Sequence, residues 1–215
     1  PINLVDPTGK YGVRIIDDEA KTITVKADYY VDTNPFRYKD EHGKIKELKP
    51  YSVKDIDEMN SYDEFLNNLN LTVPSGEYEG YTILFELMFF DGGNIGEASA
   101  MAAGDNYNGY PIGNTVQLAD ENMYSHLKFN IQYNSDGSTK RRGGVTQDFK
   151  SIVMNRPLDT KMNRLHEIFH TLGFTHPEGG GKQGIMKYPP KKPTKKDALE
   201  ISNSKFLPSI IKSKK

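Results

Sequence analysis

Three of the chain's five histidines fall within one fragment, HEIFHTLGFTH, which runs from His166 to His176. On a helix, residues four apart share a face, with Cβ atoms roughly 5–6 Å apart. His166 and His170 can therefore present ring nitrogens to one ion at the roughly 2.0–2.1 Å that zinc prefers. Glu167 is turned about 100° from His166. It falls beside such an ion, where a carboxylate can hold and deprotonate a bound water. A third ligand from the next turn of the same helix would crowd the ion. Gly173 tolerates a left-handed backbone and lets the chain turn back, so His176 arrives from another direction. Three neutral imidazoles leave a fourth position open, which is the pattern of a catalytic zinc site and not of a structural one.

A second fragment, GIMKY, places Met186 ten residues after His176 in a turn bounded by glycine and proline. With both fragments in view, the chain resembles the metzincin zinc peptidases, whose signature is HExxHxxGxxH followed by a Met-turn. The matching residues are His166, Glu167, His170, Gly173, His176 and Met186. Tyr188 matches a tyrosine two residues after the Met in the astacin and serralysin branches. The resemblance implies an endopeptidase with one catalytic Zn2+, acting on protein or peptide substrates through a Glu-activated zinc-bound water. It makes Glu167 the general base, Tyr188 the donor to the oxyanion, and Met186 an apolar floor beneath the three imidazoles.

The same resemblance implies an α+β, metzincin-like fold. The expected parts are a twisted mixed sheet, an active-site helix, an N-terminal lobe over about 11–173, and a small irregular C-terminal lobe over about 174–215 below the cleft. In this family an edge strand precedes the active helix, and substrate adds to it as an antiparallel strand. IGEASAMAAG followed by GNTVQLADE is similar to that edge strand and the next inner strand. Residues 95–101 are thus expected to bind substrate backbone, with Ala98 near the middle. Some forty residues separate NTVQLAD from the zinc helix. They form either an extra hairpin over the site, or a stretch in which KSIVMN is the true inner strand. His42 and His126 match nothing and read as surface or satisfied core positions.

The elements that must position these residues are legible from period. KTITVKADYYV alternates, with Ile23, Val25, Ala27, Tyr29 and Val31 on one face; with YGVRII and the turn DDEA it reads as a hairpin. Residues 52–69 read as a helix with a Ser52–Asp55 capping box. Residues 81–90, apolar on both faces, read as a central strand. NTVQLA, LKFNIQY and KSIVMN are further strands, with NSDGS a turn. In DTKMNRLHEIFHTLGF the stripe Leu158, Met162, Leu165, Phe169 and Leu172 predicts a helix, capped by Asp159 or Thr160 and ended by Gly173. A last helix starts at Thr194-x-x-Asp197, and the terminal KSKK is expected to fray.

Composition closes off other classes. The 215 residues are 36% hydrophobic and 27% charged, enough for one globular domain with a real core, or two small lobes around a cleft. A net charge of −1 gives no general attraction to nucleic acid or anionic membrane. No apolar run approaches the roughly 20 residues of a membrane span. The absence of cysteine excludes disulfides, thiolate metal sites, a cysteine nucleophile and a thiolate latency switch.

The start of the chain carries a second resemblance. PINLVDPTGKYG is similar to the P-x4-D-P-x-G junction that ends the core of RHS-repeat proteins, at Pro1, Asp6, Pro7 and Gly9; Lys10 departs from the usual apolar residue. In that family the segment after the junction is a toxin cut away from a large bacterial shell. The resemblance implies that residues 1–10 are a junction remnant and that 11–215 are a released, monomeric bacterial effector. Such an effector is secreted or delivered into a target cell without its own signal peptide and is matched by an immunity protein. Two alternatives stand beside it: a non-toxin bacterial metzincin, and a catalytically inactive zinc-stabilised binding module.

Overall fold

The computed structural model describes residues 11–40, 42–119, 143–176, 184–187 and 189–212. Its strands are β1 (Val13–Asp17), β2 (Thr22–Val31), β3 (Phe36–Lys39), β4 (Ile45–Leu48), β5 (Thr82–Asp91), β6 (Asn106–Tyr107), β7 (Tyr110–Pro111), β8 (Gly113–Ala119), β9 (Gly144–Gln147), β10 (Ser151–Asn155) and β11 (Ser209–Ile211). The helices are α1 (Val53–Met59), α2 (Tyr62–Asn67), α3 (Ile95–Gly104), α4 (Lys161–Thr171) and α5 (Lys195–Ser202). The class is α+β. A curled mixed sheet runs β11-β1-β2-β8-β10-β9, with β5 also on β2; β3-β4 and β6-β7 are small separate ribbons. Among the described residues no helix is long and apolar enough to cross a membrane.

Strand β2 organises the sheet. Its ten residues pair in parallel with β5 along their whole length. The opposite edge is shared between antiparallel β1 over Thr22–Lys26 and parallel β8 over Asp28–Val31. The hairpin read from the sequence is present, and Ile23, Val25, Ala27, Tyr29 and Val31 are all buried on one face, as a period of two requires. The turn between β1 and β2 is held by Asp17, whose carboxylate accepts from the Ala20 N–H at 2.9 Å.

Strand β5 is not central. Ile83, Phe85, Leu87 and Phe89 face the core, but Met88 and Phe90 on the other face are 41% and 37% exposed. Its outer edge pairs with main chain only at its start, where Thr72 bridges Thr82; beyond that, side chains cover it. Asn67 donates to the Phe85 carbonyl at 3.1 Å and accepts from the Phe85 N–H at 2.7 Å. Asn60 does the same for Phe89 at 3.0 and 2.8 Å. Each amide supplies the donor and acceptor of a missing strand residue, which protects the edge from pairing with another chain. The helix expected over 52–69 is accordingly two. The predicted Ser52–Asp55 capping box starts α1, and α1 ends at Asn60, the residue committed to β5.

Residues 95–101, expected as a substrate-binding edge strand, are helix α3. Asn94 accepts from the N–H groups of Gly96 and Glu97 at 2.9 and 3.1 Å, and Glu97 accepts from the Asn94 N–H at 3.0 Å. This capping box opens an alanine-rich run of high helix propensity. Ala98 and Ala102 are fully buried. A Cβ on Gly92 would sit 2.7 Å from the Ala98 Cβ, and one on Gly113 would sit 2.4 Å from the Ala102 carbonyl. Small residues on both sides let α3 lie flush on the sheet. Ala98 is thus a packing residue.

KSIVMN supplies an inner strand of the sheet, and the alternative of an extra hairpin falls mostly on 120–142, outside the described residues. KSIVMN forms β10, parallel to β8 on one side and antiparallel to β9 on the other. LKFNIQY and NSDGS lie outside the described residues. Helix α4 is capped by Thr160, whose side chain accepts from the Asn163 N–H at 3.3 Å. Leu158 sits just before it, in a 3-10 turn. Leu165, Ile168, Phe169 and Leu172 are buried against the sheet, and the hydroxyls of Tyr29 and Thr171 are 2.9 Å apart.

After the site the chain returns to the sheet. Thr194 and Asp197 form the expected capping box of α5. Strand β11 then pairs in parallel with β1. From β1, the Arg14 guanidinium donates to the Ile201 carbonyl at 2.9 Å and also to that of Ser202, satisfying the end of α5. Ala198, Ile201 and Leu207 belong to the same apolar cluster as Leu172 and Ile185.

Candidate metal centre

His166 and His170 stand one turn apart on α4, and the end of that helix delivers His176. Gly173 takes φ +89°. The Phe174 N–H bonds the Phe169 carbonyl at 3.1 Å and the Gly173 N–H bonds the His170 carbonyl at 2.9 Å. These two bonds define a Schellman motif, and the rings of Phe169 and Phe174, 5.3 Å apart, supply its usual apolar contact. The reversal brings the third ring onto the first two. The ring centroids form a near-equilateral triangle with sides of 4.8, 5.0 and 4.8 Å. One potential ligand atom from each histidine lies within 4.8 Å of the others, so the group can hold a metal ion.

The main chain determines which nitrogen faces inward. His166 Nδ1 is 2.8 Å from the Ile185 carbonyl, His170 Nδ1 is 2.7 Å from the Phe174 carbonyl, and His176 Nδ1 is 3.1 Å from the Met186 carbonyl. A carbonyl only accepts, so each Nδ1 carries the proton and donates. In a neutral ring that leaves the lone pair on Nε2. Such carbonyl partners orient metal-binding imidazoles and raise their basicity.

The Nε2 atoms of His170 and His176 are 3.2 Å apart. Tetrahedral ligands at roughly 2.0–2.1 Å from an ion are themselves separated by roughly 3.3 Å. Two lone pairs facing each other at this distance repel unless a cation lies between them, so the donor set fits a metal. Burial is the main cause that pushes His166 and His170 down to about 4, which keeps both neutral at pH 7 as ligation requires.

The turn at Met186 contributes main chain as well as bulk. Gly184 takes φ +85°, and a Cβ there would lie 2.5 Å from an Asp197 oxygen, so the cap of α5 backs the turn. Ile185 and Met186 bury their side chains in the core while their carbonyls hold two of the rings. Tyr188 lies outside the described residues.

Glu167 is 2% exposed. The Thr146 hydroxyl lies 2.8 Å from its Oε2 and 3.0 Å from its main-chain oxygen. A Cβ on Gly144 would sit 2.8 Å from the Glu167 Cγ. Thr146 and Gly144 were not singled out in the sequence, and no linear signal marks them. They reach Glu167 only because β9 packs beside α4. Phe174 and Ile185, which act through backbone oxygens, are equally invisible to a reading of side-chain types.

Comparison with known proteins gives no significant match: none to a family model, none to a curated protein and none to a solved structure.

Proposed function

We propose that the chain is a zinc-dependent endopeptidase of the metzincin type. The observation that carries this reading is the convergence of three imidazoles whose tautomers are set by main-chain carbonyls, with the Glu167 carboxylate held in the next residue of the same helix. His166, His170 and His176 would hold the ion, and zinc, when bound, would supply Lewis acidity and a nucleophilic water near neutral pH. Glu167 takes a proton from the attacking water and later delivers it to the leaving amine. Tyr188 donates to the substrate carbonyl oxygen as charge builds there. Substrate backbone adds to β9, which precedes α4 and ends the sheet among the described residues. This assigns to β9 the part that the sequence suggested for residues 95–101.

Purified protein reconstituted with zinc is expected to bind one ion per chain and to cleave an unfolded polypeptide. A chelator should stop cleavage, and added zinc should restore it. One bound zinc with no cleavage of any unfolded substrate would point instead to an inactive binding module; no bound zinc would remove both readings.

The proposal extends to biological role: a toxin released from an RHS-type protein. It rests on the Pro1, Asp6, Pro7 and Gly9 junction pattern and on the lack of cysteine, which lets a delivered chain refold without an oxidase. Expression in a susceptible bacterium is expected to stop growth, Glu167→Ala to be harmless, and a co-expressed neighbouring immunity gene to protect. Harmless wild-type protein in both cytosol and periplasm would refute the toxin role and leave the peptidase reading standing.

A further inference from the structure

We infer that Thr146 is a positioning residue for Glu167, so that the strand proposed to align the substrate also aligns the base. The inference rests on the peptidase reading above. Along β9 the side-chain period is two, so Gly144 and Thr146 share one face, and both meet Glu167. The two contacts act on different parts of the side chain. Gly144 leaves room for the glutamate stem, because a Cβ there would lie 2.8 Å from Cγ. Thr146 acts on the carboxylate, with Oγ1 at 2.8 Å from Oε2.

A hydroxyl has one hydrogen, and a carboxylate, the form a general base requires, is a stronger acceptor than the main-chain oxygen that Thr146 also approaches. Thr146 is β-branched, so its χ1 is restricted and the donor is held in place before any substrate arrives. A glutamate otherwise samples several rotamers. Fixing one carboxylate oxygen sets the plane of the group and hence the direction of the other. Proton transfer depends on that direction, and a misplacement of about 1 Å can cost on the order of 10²-fold in rate. Because Gly144 and Thr146 belong to β9, the base and the backbone of an added substrate strand are referred to one rigid element.

The test uses the zinc-loaded full chain with Thr146→Val, which keeps shape and loses the hydroxyl, and Thr146→Ser, which keeps the hydroxyl. Thr146→Val is expected to lower kcat about tenfold, the weight of one hydrogen bond to a charged group. KM and the one-zinc stoichiometry should be unchanged. Thr146→Ser should recover most of the loss, and Thr146→Val should cost nothing further in a Glu167→Gln background. A second readout needs no activity: on zinc-free protein, the shifts in urea midpoint for Thr146→Val and Glu167→Gln should be non-additive. Thr146→Ala serves the same comparisons if the valine variant fails to fold. Wild-type kcat in Thr146→Val, equal damage in Thr146→Ser, or an additive cycle would each overturn the assignment. Wild-type protein that binds zinc and cleaves nothing would end the peptidase reading and this inference with it, whereas loss of coupling alone would end only the role of Thr146.

Discussion

Glu167→Ala is expected to lower kcat by roughly 10²–10⁴-fold, the usual contribution of a general acid–base group, while one zinc per chain stays bound. The separation of turnover from metal binding follows from the site. Glu167 is not among the three residues whose ligand atoms converge. Each imidazole is oriented by a main-chain carbonyl, of Ile185, Phe174 or Met186. The fold should also survive. Truncation takes away the acceptor at Oε2, but the Thr146 hydroxyl keeps the Glu167 main-chain oxygen at 3.0 Å as an alternative partner. The half-buried Thr146 donor therefore keeps a partner. The check is paired: initial rates on a peptide substrate, and metal content by atomic absorption. Wild-type kcat in the alanine variant would remove Glu167 from the mechanism.

The second large effect is loss of the metal itself. His176→Ala is expected to leave zinc well below one per chain and to abolish turnover, with little change in the stability of the zinc-free protein. His176 is the right position for this test because it is exposed and lies beyond the Schellman turn, whereas His166 is 1% exposed. Truncating His166 would leave a cavity and strip the Ile185 carbonyl of its donor, mixing folding defects with metal loss. Thermal unfolding gives an independent measure. A ligand at about 100 times its Kd stabilises the folded state by about 2.7 kcal/mol. Zinc should therefore raise the Tm of the wild type and leave that of His176→Ala unmoved. A variant that keeps one zinc and the wild-type thermal shift would show that His176 is not a ligand.

Much of the site was readable because its rules are local. The i, i+4 spacing puts His166 and His170 on one face, and a glycine at 173 supplies the left-handed residue that lets His176 return. Capping boxes at Ser52 and Thr194 and the alternation along β2 were likewise settled within a few residues. Segment 95–101 shows the opposite error. The Asn94–Glu97 capping box and the alanine run are local helix signals in the sequence, and they outweigh the segment's similarity to an edge-strand pattern.

Other features had no local signature. Residues 81–90 are apolar at nearly every position, and such a run says that a strand is covered without saying by what. The covering of its edge by Asn60 and Asn67 depends on where two short helices dock. The seat of Glu167 is more remote still. Thr146 and Gly144 lie some twenty residues upstream on a four-residue strand and are ordinary residues by type. The sequence by itself determined the trio His166, His170 and His176 that could hold a metal ion, the helix that carries its first two members and the turn that returns the third, because period and backbone handedness act over a few residues. Only the tertiary structure decided which imidazole nitrogens face inward and what holds the Glu167 carboxylate, because those depend on main-chain carbonyls and a strand hydroxyl brought from distant parts of the chain by packing.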